Sequence, residues 1–191
     1  MNGRLYIITG PSGVGKTTVA MELLRRRPTL KKVVTCTTRP PRNGEIDGVS
    51  YHFLDRATLQ SLIDAGDMFE WDEHYGNLYG SRRSDVQALV EAGNDVLFVV
   101  DVAGASTIKE KNPEAVLVFI QPESLDQLLE RIARRDQGMT AGLEERKVAI
   151  QREMTYADEA DHKIVNREGK LEETIDLISQ LLDTPLASDV S

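Results

Sequence analysis

The run Gly10-Pro-Ser-Gly-Val-Gly-Lys-Thr17 constrains the fold of this chain more than any other stretch. It matches G-x-x-x-x-G-K-[ST] and stands in the setting that gives the pattern meaning. The apolar, β-branched segment Leu5 to Thr9 precedes it, a helical run from Lys16 to Arg27 follows, and Pro28 stops that run. Glycines let backbone N–H groups converge on phosphate oxygens without Cβ atoms in the way. The start of the following helix adds a favourable partial charge. Lys16 is placed to reach β- and γ-phosphates, and the Thr17 hydroxyl to ligate Mg²⁺. A bare glycine-rich turn is the plainer reading, but the strand before and the helix after favour a nucleoside triphosphate with Mg²⁺.

The rest of the chain repeats the strand-helix rhythm. Strands are expected at Val33 to Thr37, Tyr51 to Leu54, Met68 to Tyr75, Val96 to Val100, Ala115 to Ile120 and Lys163 to Val165. Helices are expected from the Asp55 cap to about Gly66, and at Ser84 to Ala92, Ala103 to Lys111, Leu125 to Arg135, Leu143 to Ala160 and Leu171 to Leu182. Gly76 to Gly80 reads as a turn, and Arg39 to Ser50, with two prolines and two glycines, as a loop. Val96 to Val100 is continuously apolar, the mark of a strand buried on both faces in a parallel sheet. The pattern predicts an α/β fold, a doubly wound parallel sheet carrying a P-loop. Residues from about 35 to 84 break the rhythm and read as a small α+β insertion, and 184–191 as a loose tail.

Composition narrows the function classes. Among 191 residues, Asp and Glu outnumber Lys and Arg by 31 to 23, a net charge of −8 that opposes nonspecific binding to nucleic acid or an anionic membrane. No apolar run approaches the ~18 residues of a membrane span, and the N-terminus lacks a signal-peptide pattern. The single cysteine, Cys36, makes no intrachain disulfide and reads as a small strand residue of a protein in the reducing cytoplasm.

A phosphate loop leaves the acceptor open among GTPases, motors and small-molecule kinases. The guanine-reading Asn-Lys-x-Asp of GTPases is absent, and 191 residues are cramped for a motor. A kinase needs a second basic site, and Thr35-Cys-Thr-Thr-Arg-Pro-Pro-Arg-Asn-Gly-Glu45 offers one. Arg39 and Arg42 lie three residues apart across a proline-stiffened loop, and two guanidinium forks suit one phosphate dianion. The Tyr51 and Tyr79 hydroxyls are further donors. The alternative is a solvated basic turn beside core tyrosines.

With these residues in view the sequence resembles guanylate kinase. The match rests on Gly10 to Thr17, Thr37-Thr-Arg-Pro-Pro-Arg-Asn-Gly-Glu45, Gly48-Val-Ser-Tyr-His-Phe53, Phe69-Glu-Trp71, Tyr75-Gly-Asn-Leu-Tyr-Gly-Ser81, Val100-Asp101 and Ile164-Val-Asn166, in the family's order and spacing over about residues 4 to 183. The resemblance implies ATP-dependent phosphorylation of GMP, and of dGMP, with Mg²⁺. It implies a core of residues 1–34, 85–124 and 157–183, a GMP-binding insertion of 35–84 and a helical lid of 125–156. It assigns Thr35, Arg39, Arg42, Tyr51, Glu70, Tyr79, Ser81 and Asp101 to GMP. Arg39, Arg42, Tyr51 and Tyr79 would hold its phosphate, and Glu70 would read the base. ATP is assigned to Ser12, Gly13, Val14, Gly15, Lys16, Thr17, Thr18, Arg131, Arg135 and Asn166, with Asn166 near the adenine. Lys16, Arg42, Arg135 and Arg146 are the expected catalytic residues.

A carboxylate at position 70 suits guanine, which presents N1–H and a 2-amino group, whereas adenine presents neither. The chain departs from the family pattern in three places. Val99 replaces an acid on the metal side, Thr35 replaces a serine, and Asp136 replaces a glycine. Two other readings stand beside this one, a kinase for another small phosphorylated acceptor and a non-catalytic guanylate-kinase-like binding module. The sequence leaves monomer and dimer both open.

Overall fold

The structure is a computed structural model that describes residues 3–74, 76–135 and 143–184. Leu5–Thr9 forms β1, and Lys16–Arg26 forms α1, which ends where Arg27 turns extended before Pro28. Leu30–Lys32 is β2, Cys36–Thr37 β3 and His52–Phe53 β4. Helix α2, Arg56–Asp64, is capped by the Asp55 carboxylate, which accepts from the Thr58 amide at 2.8 Å. Met68–His74 (β5) and Asn77–Arg82 (β6) lead to α3, Arg83–Glu91. Then come β7 (Asp95–Val99), α4 (Val102–Lys111), β8 (Val116–Pro122), α5 (Leu125–Arg135) and α6 (Leu143–Thr155). A 3₁₀ turn at Tyr156–Glu159, β9 (His162–Asn166) and α7 (Leu171–Asp183) complete the chain.

A central parallel sheet runs in the order β2-β7-β1-β8-β9, the non-sequential order of a doubly wound α/β fold. A second, mixed sheet has the order β4-β3-β6-β5, with β3 parallel to β4 and antiparallel pairs elsewhere.

The chain divides into two compact units. The first comprises residues 1–7 and 28–116. Its buried residues include Ile7, Leu30, Leu97 and Phe98, and a separate small core of Cys36, Leu59, Met68 and Leu78 lies under the mixed sheet. Phe69 of β5 stacks on Phe98 of β7, ring centroids 5.3 Å apart, which ties the mixed sheet to the strands that carry Asp101. The second unit comprises residues 8–27 and 117–191. There Ile8, Val19, Leu23, Phe119, Leu128, Ile175 and Ile178 are buried.

Three local expectations change. Of the strand expected over Val33 to Thr37 only Cys36–Thr37 forms, in the mixed sheet, because the central-sheet strand lies earlier, at Leu30–Lys32, and the chain passes between the two sheets over residues 33–35. Gly76 to Gly80, expected as a turn, lies largely within β6. Gly80 is there for close approach, since a Cβ would come within 2.6 Å of the Glu70 carbonyl on β5. The helix expected to Ala160 ends at Thr155 and tightens into the 3₁₀ turn. No helix among the described residues is long and apolar enough to cross a membrane.

Candidate active site

In the second unit the phosphate loop is shaped by close backbone approach. A Cβ on Gly10 would lie 2.0 Å from the Ile120 carbonyl of β8. Gly15, at φ 104°, occupies the N-cap position of α1 with no side-chain cap, which leaves the first amides of the helix for an anion. Lys16 Nζ donates to the Gly10 carbonyl at 2.6 Å and the Pro11 carbonyl at 3.2 Å, so the ammonium is held over the loop. Thr17 and Thr18 are exposed, with Ser12 and Gly13 half-buried and Val14 buried. The Ser12 amide donates to Glu153 of α6 at 3.3 Å, a carboxylate on the kind of donor a phosphate would take.

Asn166, expected near adenine, braces this loop. Its Nδ2 donates to the Val14 carbonyl at 2.8 Å, and its Oδ1 accepts from the Thr174 hydroxyl at 3.2 Å. Arg131 and Arg134 both face Glu168, at 4.0 and 3.4 Å. Arg146 is half-buried on α6. The Arg135 side chain and Asp136 lie outside the described residues, as does Tyr75.

In the first unit the structure brings the acceptor residues into two groups. The Arg39 guanidinium lies 5.4 Å from the centre of the Tyr51 ring, and Tyr79 meets Tyr51 edge-on at 6.4 Å. Lys32, whose charge burial disfavours, approaches the same Tyr51 ring at 5.7 Å. Arg42 is exposed. Glu45 organises both arginines. Its carboxylate accepts from Arg39 Nη2 at 2.8 and 3.0 Å and from the Arg42 amide at 2.7 Å. Sequence reasoning passed over Glu45, although its place three residues after Arg42 and six after Arg39 was a usable signal.

The second group surrounds Glu70. Tyr79 and Ser81 alternate onto the same face of β6, about 7 Å apart along the strand, so the two groups share one surface. Ser81 pairs with Glu70 across the β5–β6 ladder. Asp101 caps α4, accepting from the Gly104 amide at 2.9 Å. Thr35 is buried between β2 and β3, and its carbonyl accepts from the His52 amide at 2.9 Å.

Glu70 is only 3% exposed, and its carboxyl is pushed up to about 7. Burial is the main cause, Ser81 acts in the opposite direction, and the negative charges of Asp101 and Asp72 raise it further. Glu70 Oε1 and Ser81 Oγ are both buried and make no well-formed hydrogen bond among the described residues, although Ser81 is close enough to ease the Glu70 charge. Two orphaned polar atoms on paired strands are costly unless a ligand satisfies them.

The raised carboxyl makes stability depend on pH. Below the unfolded value near 4.5 Glu70 is neutral in both states and folding carries no charge penalty. As pH rises through about 7 the folded chain must bury a charge, and that share of stability is lost. Glu70→Gln removes this dependence. Denaturant unfolding should show the variant gaining on the parent between pH 4.5 and 7.5, by on the order of 3 kcal/mol. A constant difference between the two chains would refute the raised carboxyl.

Cys36 is fully buried and burial pushes its thiol up to about 11, so it is an inert packing residue.

A phosphate loop on a doubly wound parallel sheet, in a chain that also clusters arginine and tyrosine side chains, has the makings of a P-loop kinase. Comparison with known proteins narrows the class. The sequence profile of the guanylate kinase family matches residues 2–184. A guanylate kinase of Synechococcus sp. is 40% identical over 183 residues, covering 96% of this chain and 83% of its own. One from Desulfitobacterium hafniense is 38% identical over 181 residues, covering 95% and 90%. The crystal structure of guanylate kinase from Anaplasma phagocytophilum superposes with a TM-score of 0.78 at 32% identity, covering 95% of this chain and 85% of that one. The chain belongs to the guanylate kinase family.

Proposed function

We propose that this chain transfers the γ-phosphoryl group of ATP to GMP, giving ADP and GDP, within cytoplasmic purine nucleotide metabolism. The observation that carries the reading is the pair of orphaned buried atoms, Glu70 Oε1 and Ser81 Oγ. An ionised Glu70 accepts from guanine N1–H and the 2-amino group, whereas adenine leaves the carboxylate unpaired. A site built on such bonds rejects the wrong base by about 10⁴-fold. Ser81, Thr35 and Asp101 complete the base pocket. Arg39, Arg42, Tyr51 and Tyr79 take the GMP phosphate, with Glu45 holding the two arginines in register. dGMP serves as acceptor as well.

On the donor side, backbone N–H groups of residues 12–18 hold the ATP phosphates, and Lys16 with Arg131, Arg135 and Arg146 neutralises the charge that develops during transfer. Asn166 supports ATP indirectly, by bracing the loop at Val14. No general base is required, because a phosphate monoester with a second pKa near ~6 is mostly dianionic at pH 7. Positioning and charge neutralisation do the catalytic work. The chain is organised as a core of 1–34, 85–124 and 157–183, a GMP-binding insertion of 35–84 and a lid of 125–156 that excludes water from the reacting phosphates.

The donor set fits Mg²⁺. Thr17 offers an exposed hydroxyl at the start of α1, and Val99 offers nothing where the family pattern has an acid. Mg²⁺ suits such a sparse site, because it keeps several waters and takes substrate phosphates with one or two protein ligands. When bound with ATP it supplies charge neutralisation and orientation of the phosphates.

The reading is tested by ADP release from ATP and Mg²⁺ with GMP, dGMP, AMP, CMP, UMP or no acceptor. Turnover with GMP and dGMP alone is expected. Turnover with another acceptor would discard the guanine assignment, and none with any acceptor would favour a binding module.

A further inference from the structure

Gly104 lies in the first turn of α4, buried, with its amide on the Asp101 cap. Its backbone is helical, so nothing in its conformation calls for glycine. Space does. A Cβ at this position would come 3.1 Å from Glu70 Oε2, 3.3 Å from Val100 Cβ and 3.4 Å from Asp101 Oδ1. These neighbours bracket it, and the one nearest is the terminal oxygen of the base-reading carboxylate. Real Cβ atoms rarely sit so close to a neighbour, so a side chain here would have to displace something. Glu70 itself is buried, and the end of its side chain is the atom that would have to give way.

We propose that Gly104 is a specificity-determining residue for the acceptor: its missing side chain leaves the room in which Glu70 Oε2 and Asp101 face the purine. The inference rests on the reading that Glu70 binds guanine, and adds to it a residue that touches neither phosphate nor arginine. It also makes α4 a wall of the base pocket rather than a passive packing helix. A methyl group at 104 pushes the carboxylate a few tenths of an ångström off its position. Hydrogen bonds to two fixed guanine donors tolerate such a shift poorly.

The test is Gly104→Ala, assayed for KM of GMP, KM of ATP and Tm. Alanine is the better helix former, so a chain that accommodates it keeps or raises its Tm. The expected result is a rise in the KM for GMP of about tenfold, with the KM for ATP within twofold of the parent and Tm unchanged or higher. Loss of stability alone does not produce that combination. A KM for GMP within twofold of the parent overturns the proposal. So does a fall in Tm with both KM values rising together, or a chain that does not fold, since Gly104 is then only a packing position. Glu70→Gln, run alongside, separates the two claims. If it leaves the KM for GMP unchanged, the guanine reading itself fails. If it raises that KM while Gly104→Ala does not, only the role of Gly104 is lost.

Discussion

Lys16→Ala should lower kcat/KM by at least about 100-fold, the scale of losing one group that stabilises developing charge. Two polyanionic substrates repel each other, and Lys16 is the cation nearest the phosphate loop in sequence. Its ammonium is held over the loop by the Gly10 and Pro11 carbonyls, where the proposed reading puts the donor phosphates. The effect should leave the fold intact, because alanine suits the first turn of α1 at least as well as lysine. Lys16→Arg should not restore activity. A planar fork does not fit a site shaped for a compact ammonium between two carbonyls. Steady-state kinetics with GMP saturating, together with Tm, check both variants. Near-parental activity of Lys16→Ala would remove Lys16 from the mechanism.

Glu70→Gln should have the other large effect, on base choice. The carboxylate presents two acceptors to two guanine donors, and the amide turns one of them into a donor. Guanine then meets a like group in a buried site, where an unpaired donor is costly. We expect kcat/KM for GMP to fall by at least about 100-fold, the KM for ATP to stay near the parent's, and the ratio of GMP to AMP turnover to collapse. The pH profile should change with it. In the parent, Glu70 titrates near 7 when the pocket is empty, and guanine favours the ionised form, so GMP binding weakens as pH falls below about 7. The phosphate's own titration near pH ~6 is common to both chains. The difference between their profiles therefore isolates Glu70. An unchanged GMP to AMP ratio would refute the assignment.

The residues that carry local chemistry were readable without a fold. The phosphate loop, the Arg39–Arg42 pair and the Asp55 cap depend on neighbours a few positions away, and short-range spacing encodes them. Sheet membership did not follow the same logic. Asn77–Arg82 is glycine-containing and polar enough to pass for a turn, and it is a strand because Met68–His74 pairs with it. Val33 to Thr37 reads as one strand, yet the strand of the central sheet lies before it at Leu30–Lys32 and only Cys36–Thr37 pairs within it, a decision made by partners on β7 and β6. Pairing energy comes from residues distant in sequence, and local propensity is easily overruled by it.

The site divides along the same line. Sequence by itself determined which groups are present: a phosphate-binding loop with its lysine, two arginines on a stiff turn, and a glutamate in the position that the family pattern gives to the base. Only the tertiary structure decided what those groups are. Burial between two strands turns Glu70 from an ordinary acid into one that titrates near 7 and lacks a partner for one oxygen. The return of the Glu45 carboxylate links Arg39 and the Arg42 backbone, and the end of β9 places Asn166 where its amide braces the loop at Val14. The physical reason is that residue type sets the charges and donors available, whereas desolvation, orphaned atoms and close approach arise only when segments far apart in the chain exclude water from one another.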